Sequence, residues 1–96
     1  MQLPLAINLR RAQIREIVLA HHASNARILD VTTFALYAEN VSFSILIDPS
    51  SETTLFDIGA IRYELRKLLG VVVEVLTPKS LPEVIREVVI NKALPI

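Results

Sequence analysis

The sequence has no cysteine in its 96 residues. This excludes disulfide bridges, zinc–thiolate sites and thiol catalysis, and it is compatible with a reducing cytoplasm. The chain also has no net charge, because ten basic residues balance ten acidic ones. No overall electrostatic field would therefore attract nucleic acid or an anionic membrane.

Other familiar signals are missing as well. The first five residues have no basic region followed by a long apolar stretch, as a signal peptide would, and no segment approaches the roughly 20 apolar residues of a membrane span. No serine nucleophile elbow, P-loop or Rossmann fingerprint occurs. Arg10, Arg11 and Arg15 have no aromatic residues between them, which favours a solvated helix face over a nucleic-acid site. We expect a soluble, cytoplasmic protein.

The apolar content is high for such a short chain. Hydrophobic residues make up 52% of the sequence and the mean hydropathy is +0.48. One core can form in a chain of this length, and no linker or repeat divides it, so residues 1–96 are predicted to form a single domain. Some apolar surface is expected to meet a partner or a second copy in a homo-oligomer.

Hydrophobic periodicity predicts three helices, and each has a start or stop signal in the sequence. The apolar stripes include Ile14, Ile17 and Val18 in the first helix and Ile58, Ile61, Leu65 and Leu68 in the second. In the last helix they are Leu81, Val84, Ile85, Val88 and Val89. The signals are Asn8 as N-cap of the first helix, Thr54 with Asp57 as a capping box for the second, Gly70 as its stop, and Ser80 with Glu83 as a capping box for the third.

Extended segments are predicted at residues 27–32, 41–48 and 71–76. Strands separated by helices indicate an α+β domain with a mixed three-stranded sheet covered by helices. Residues 33–40 leave two alternatives open, a short helix or a hairpin made by lengthened first and second strands. The predicted order is α-β-(short α or hairpin)-β-α-β-α.

Segments along almost the whole chain support a more specific interpretation through their order and spacing. They are Ile14-Arg15-Glu16-Ile17, His22-Ala23-Ser24-Asn25-Ala26-Arg27, Leu55-Phe56-Asp57, Leu68-Leu69-Gly70, Val73-Glu74-Val75-Leu76-Thr77-Pro78, Ile85-Arg86-Glu87 and Ala93-Leu94-Pro95-Ile96. Together they resemble the minimal nucleotidyltransferases, or MNT domains, small relatives of the DNA polymerase beta nucleotidyltransferase fold. The resemblance implies a nucleotidyltransferase-like fold.

The same resemblance implies that the catalytic motifs have been lost. An active member would show Gly-Ser, then Ala-Arg-Gly, then Ser-Asp-x-Asp entering an apolar strand. Asp30 and Val31 stand at the Gly-Ser pair, and Ser42 and Ser44 stand at the two aspartates. The pattern Ile45-Leu46-Ile47-Asp48 that follows is kept, and Glu74 stands at the family's third carboxylate.

These replacements oppose metal and phosphate binding. Residues two apart on a strand share a face, so Ser42 and Ser44 would occupy the metal-binding face with neutral hydroxyls, which bind Mg²⁺ weakly. A carboxylate at Asp30 would repel a phosphate about 4 Å away by roughly 4 kcal/mol at an effective dielectric near 20. We therefore expect no bound metal, no cofactor and no catalytic residues.

Two acid–base features keep alternatives open. Glu74, in an apolar run, is interpreted as solvent-facing or ion-paired, with a remnant of a metal site as the alternative. His21 and His22 are adjacent, and adjacent positions on a regular helix point about 100° apart, which favours a helix-end role over a shared metal ion.

Three functions remain as hypotheses. The first is a catalytically inactive MNT-type antitoxin or regulatory subunit that binds a HEPN-type partner, the companion that the resemblance implies. The second is a residual Mg-dependent nucleotidyltransferase that transfers AMP from ATP, with Glu74 and either Asp30 or Asp48 forming the metal site. The third is a self-associating structural module.

Overall fold

The computed structural model describes residues 3–29 and 41–96. Within these residues the helices and strands follow one another as α1 (Leu5–Asn8), α2 (Arg11–Ala20), β1 (Ala23–Leu29), β2 (Phe43–Pro49), α3 (Leu55–Leu69), β3 (Val73–Leu76), a 3₁₀ helix (Pro78–Ser80), α4 (Glu83–Lys92) and β4 (Leu94–Pro95). Every helix in the described part of the chain is too short or too polar to span a lipid bilayer.

The strands form one mixed sheet in the order β3-β2-β1-β4. β1 is antiparallel to both β2 and β4, and β2 is parallel to β3, to which the chain crosses through α3. The predicted mixed sheet packed with helices is confirmed, but it has four strands instead of three in the described residues. The added strand is only two residues long and contains a proline, so it has no alternating pattern by which to recognise it.

The two faces of the sheet have separate cores, because neighbouring strand residues point in opposite directions. Helices α1, α2 and α3 cover one face, whose buried residues include Ile7, Ile14, Val18, Ile28, Ile45, Ile47, Ile61, Leu65 and Val73. On the other face Leu81 and α4 meet the alternate strand residues, and the buried set is Leu29, Leu46, Leu76, Leu81 and Val89. The predicted stripe of the last helix was wrong at Val84 and Val88, which are exposed.

Helix α3 begins and ends at the predicted residues. The Asp57 amide donates to the Thr54 hydroxyl at 3.2 Å, and the Thr54 amide donates to the Asp57 carboxylate at 2.8 Å, which completes the capping box. At the other end Gly70 has φ of 71° and its amide donates to the Arg66 carbonyl at 2.8 Å. This left-handed conformation suits glycine because glycine has no Cβ.

The other two predicted helix starts were wrong. Asn8 ends α1, and Arg10 is the N-cap of α2 without a side-chain hydrogen bond. Ser80 closes the 3₁₀ helix instead of capping α4, and its hydroxyl accepts from the Thr77 amide at 2.9 Å. Pro82 explains this shift, because a residue before proline avoids the helical region, and Leu81 is accordingly extended.

The strand boundaries also differ from the prediction. β1 begins at Ala23, ahead of the expected residue 27, and includes a register shift between Ser24 and Arg27. Asn25 lies within this bulge with φ of 54°, a left-handed conformation that asparagine tolerates. β2 and β3 each begin two residues later than predicted. The end of the predicted first strand and the helix or hairpin at residues 33–40 lie outside the described residues.

Candidate functional site

Ser44 and Glu74 lie side by side on the sheet. They are partners in the parallel ladder of β2 and β3, and Leu29 of β1 is opposite Ser44 on its other side. Partnered residues on neighbouring strands, which are about 4.8 Å apart, point to the same face. Ser44 and Glu74 are therefore neighbours on the face that α4 covers in part.

Ser44 is the buried member of this pair. Its exposed fraction is 0%, and its Oγ has no hydrogen-bond partner. A buried hydroxyl left unpaired costs about 1–3 kcal/mol relative to one that is hydrogen-bonded. Leu29 and Leu46 are its buried apolar neighbours on this face, so Ser44 occupies a core position with a polar group.

Glu74 is half-buried on β3, the edge strand of the described sheet. Its neighbours Val73 and Val75 are buried in the core on the opposite face. Among residues 3–29 and 41–96, no hydrogen bond or ion pair involves its carboxylate. The structure thus places Glu74 next to Ser44 and gives it no counter-charge from the described part of the chain.

The remaining predicted positions are only partly described. Ser42 lies directly before β2 and is exposed, and its amide donates to the Val72 carbonyl at 2.9 Å. It is therefore at the same end of β2 and β3 as Ser44 and Glu74. Asp30 and Val31, which the resemblance places at a lost phosphate-binding motif, lie outside the described residues.

The described side chains do not fit a magnesium ion. Mg²⁺ requires near-octahedral oxygen ligands and is usually held by carboxylates together with substrate phosphates. Glu74 offers one carboxylate, and Ser44 offers a neutral hydroxyl. In residues 3–29 and 41–96, no group of three or more histidines, aspartates or glutamates could hold a metal ion.

Asp48 does not complete such a site. It is four residues beyond Ser44 on β2, about 13 Å away at 3.3 Å per residue. Its carboxylate is instead engaged by the buried Arg27 guanidinium and by Asn25, whose Nδ2 donates to Oδ2 at 2.8 Å. Arg27 Nε also donates to the Asn25 carbonyl at 3.0 Å, so this network fixes the bulge of β1.

A second cluster joins the end of α2 to α3. His21 is the C-cap of α2, which confirms the predicted helix-end role, and its Nε2 donates to Glu64 at 2.5 Å. Its Nδ1 is 3.9 Å from Asp57, and His22 Nδ1 is 3.4 Å from the same carboxylate. Sequence reasoning missed these contacts because the acids belong to another helix, more than 30 residues away in the chain.

The capping interactions perturb one of these acids. The hydrogen bond from the Thr54 amide is the largest effect and holds the pKa of Asp57 below its ordinary value. Desolvation opposes this shift, and the Thr54 hydroxyl and His22 add to it. The charged form of Asp57 is therefore stabilised as a structural cap at the start of α3.

Comparisons with known proteins establish the fold. No protein-family model matches the sequence, and no curated protein matches it. A solved structure assigned as a minimal nucleotidyltransferase is similar, with a TM-score of 0.76 and 24% sequence identity. The similarity covers 94% of this chain and 92% of that chain. The protein therefore has the nucleotidyltransferase-like fold of the MNT type.

Proposed function

We propose that this protein is a catalytically inactive nucleotidyltransferase-fold protein that acts by binding another protein, as an MNT-type antitoxin or regulatory subunit of a HEPN-type partner. The observation that carries the proposal is the pair Ser44 and Glu74. One of the two neighbouring positions on the former metal-binding face is a neutral, buried hydroxyl. A single remaining carboxylate supplies too little charge to hold Mg²⁺ with a nucleotide.

The outer surface supports a binding role. On α3, Phe56 is 91% exposed and Tyr63, two turns later, is 67% exposed. Gly59 and Ala60 lie between them, and a Cβ built on Gly59 meets no atom within 4 Å. Exposed aromatic side chains are typical of surfaces that bind another protein.

Two other functions have to be tested against this one. Residual AMP transfer from ATP requires Mg²⁺ at Glu74, and the separation of Asp48 from Glu74 argues against the version that uses both. Self-association would use the same exposed α3 surface. It differs from partner binding because it needs only a second copy of this chain.

The test is a binding assay with a HEPN-type protein from the same genome. The wild type is expected to form a complex, and Phe56→Ala is expected to weaken it by at least tenfold, as for an interface anchor worth about 1.4 kcal/mol or more. Val84→Ala is the matched control, because Val84 is 94% exposed but lies on α4. Absence of any complex with the wild type would refute the partner role.

Two further measurements separate the alternatives. Calorimetry with MgATP is expected to show no binding, and a saturable signal lost in Glu74→Gln would instead support the residual enzyme. Light scattering at high concentration reports self-association. A dimer that Phe56→Ala dissociates would assign the α3 surface to a second copy of the chain.

A further inference from the structure

Helix α4 has an exposed face that the proposed function does not use. Val84 is 94% exposed, and Val88, one turn later, is 48% exposed. Glu83 and Glu87 have the same spacing and are exposed as well. Arg86 is half-buried instead, and its guanidinium donates to two backbone carbonyls, at 2.8 and 3.0 Å. These two valines and two glutamates form an apolar and acidic surface, the acidic α4 face.

Helix α3 has an exposed face of the opposite charge. Its three cations, Arg62, Arg66 and Lys67, are all exposed. They belong to the same helix as the exposed aromatic residues Phe56 and Tyr63. These five residues form the basic α3 face.

The two acids of α3 leave this positive charge uncancelled, because both contact the end of α2. Glu64 accepts from His21 Nε2 at 2.5 Å. Asp57 caps α3 and its carboxylate is 3.4 Å from His22 Nδ1. The outward side of α3 therefore combines aromatic rings with cations.

The two faces point away from opposite sides of the sheet. Helix α3 packs on one side through Ile61 and Leu65, and α4 packs on the other through Val89. They cannot meet within one molecule. Between two molecules they are complementary, because apolar groups meet apolar groups and carboxylates meet cations.

We propose that the acidic α4 face of one copy of this chain binds the basic α3 face of a second copy, head to tail. The valines pack against the aromatic rings, and the glutamates pair with the cations around them. Each contact leaves one face of each kind free, so further copies can add at both ends. The inference goes beyond the proposed function and does not depend on it, and a protein partner on α3 competes with the second copy.

Light scattering of the full chain over a range of concentrations is the first experiment. A contact between one helix and another is small, so we expect the mass to rise above that of the monomer only near millimolar protein. Added salt should reverse part of this rise, because exposed charge pairs are screened.

Charge reversals test which faces take part. Glu87→Lys and Lys67→Glu should each weaken association about tenfold, since an attraction becomes a repulsion of similar size. Arg15→Glu is the matched control, because Arg15 is an exposed cation of α2 that belongs to neither face. It should leave the association unchanged.

Mixing the two variants tests the head-to-tail arrangement. The Lys67→Glu chain keeps its acidic α4 face, and the Glu87→Lys chain keeps its basic α3 face. An equimolar mixture should therefore associate as the wild type does, although each variant alone does not. Recovery in the mixture also shows that both variants are folded.

Three outcomes would overturn the inference. One is a monomeric mass at every concentration up to millimolar. Another is association that Lys67→Glu abolishes but Glu87→Lys leaves unchanged, which would indicate pairing of two α3 faces. The third is a mixture that stays monomeric.

The partner assay separates this inference from the proposed function. Val84→Ala should weaken self-association, but at concentrations where the chain is monomeric it should leave partner binding unchanged. A complex with the partner together with no effect of Glu87→Lys on self-association would refute the inference alone. Association through both faces without any partner complex would refute the proposed function alone.

Discussion

Replacing Ser44 with alanine removes a buried hydroxyl that has no hydrogen-bond partner. Relief of an unpaired buried hydroxyl is worth about 1–3 kcal/mol. The missing oxygen leaves a small void, which offsets part of this gain through lost packing, by about 1 kcal/mol for a methyl-sized gap. We therefore expect Ser44→Ala to raise the free energy of unfolding by about 1 kcal/mol.

Ser50→Ala is the matched control for this prediction. The Ser50 hydroxyl donates to the His22 carbonyl at 2.9 Å and accepts from the Glu52 amide at 3.1 Å. Removing a satisfied hydroxyl is expected to lower the free energy of unfolding by about 0.5–1.5 kcal/mol. The two variants should therefore shift stability in opposite directions.

Urea denaturation measures both effects, provided that the slope of free energy against denaturant is the same in all three proteins. A Ser44→Ala variant that is destabilised as much as Ser50→Ala would refute the reasoning. It would mean that the Ser44 hydroxyl is hydrogen-bonded in solution.

Three further predictions concern helix α3 and position 44. Gly59→Ala should raise the free energy of unfolding by about 0.5–1 kcal/mol, and Gly70→Ala should lower it by about 1 kcal/mol. The reason is that a Cβ meets open space at both positions, but only Gly70 has a positive φ. Equal urea midpoints for the two variants would contradict this. Because its folded pKa lies below the ordinary 3.8, Asp57 should stabilise the protein above about pH 4 and lose this effect as pH falls through the folded pKa. The stability advantage over Asp57→Asn should therefore disappear in acid, and an advantage that persists there would be inconsistent with a carboxylate cap. Without metal, Ser44→Asp should be less stable than the wild type, because it places a second carboxylate beside that of Glu74. Mn²⁺ should then raise the melting temperature of this variant, with about 2.7 kcal/mol of stability gained at a Mn²⁺ concentration 100 times Kd. An equal rise in the wild type would show that the native site already binds metal.

Features set by neighbouring residues could be predicted from the sequence. The capping box of Thr54 with Asp57 and the left-handed Gly70 are such features, and both ends of α3 are as expected. Ser80 with Glu83 satisfied the same sequence rule, but Pro82 fixed the preceding residue in an extended conformation. The failure was therefore a competition between two local preferences.

Features that depend on contacts distant in sequence could not be predicted. β4 exists because residues 94 and 95 meet the edge of β1, and nothing in that dipeptide indicates a strand. The exposure of Val84 and Val88 likewise depends on how much of α4 the sheet can cover.

For the candidate site, too, some features follow from the sequence and others depend on contacts between distant residues. The structure shows that Ser44 and Glu74 are direct partners in the ladder, whereas their assignment to a lost metal site stays a prediction from the family resemblance. Complete burial of Ser44 and the lack of a partner for its Oγ depend on what surrounds it in three dimensions. The engagement of Asp48 by Arg27 was missed for the same reason, since the two residues are 21 positions apart.

The position of Glu74 on the edge strand also bears on aggregation. Residues 71–76 are Val-Val-Val-Glu-Val-Leu, a segment with high β-propensity and no proline. In the described sheet the outer edge of β3 has no further strand beside it, although Arg66 Nε donates to the Val73 carbonyl at 3.3 Å. A charge in the middle of such a segment resists edge-to-edge pairing between molecules, because like charges would be brought together. We therefore expect Glu74 to act as a gatekeeper against cross-β assembly, a role that requires neither a metal ion nor a partner.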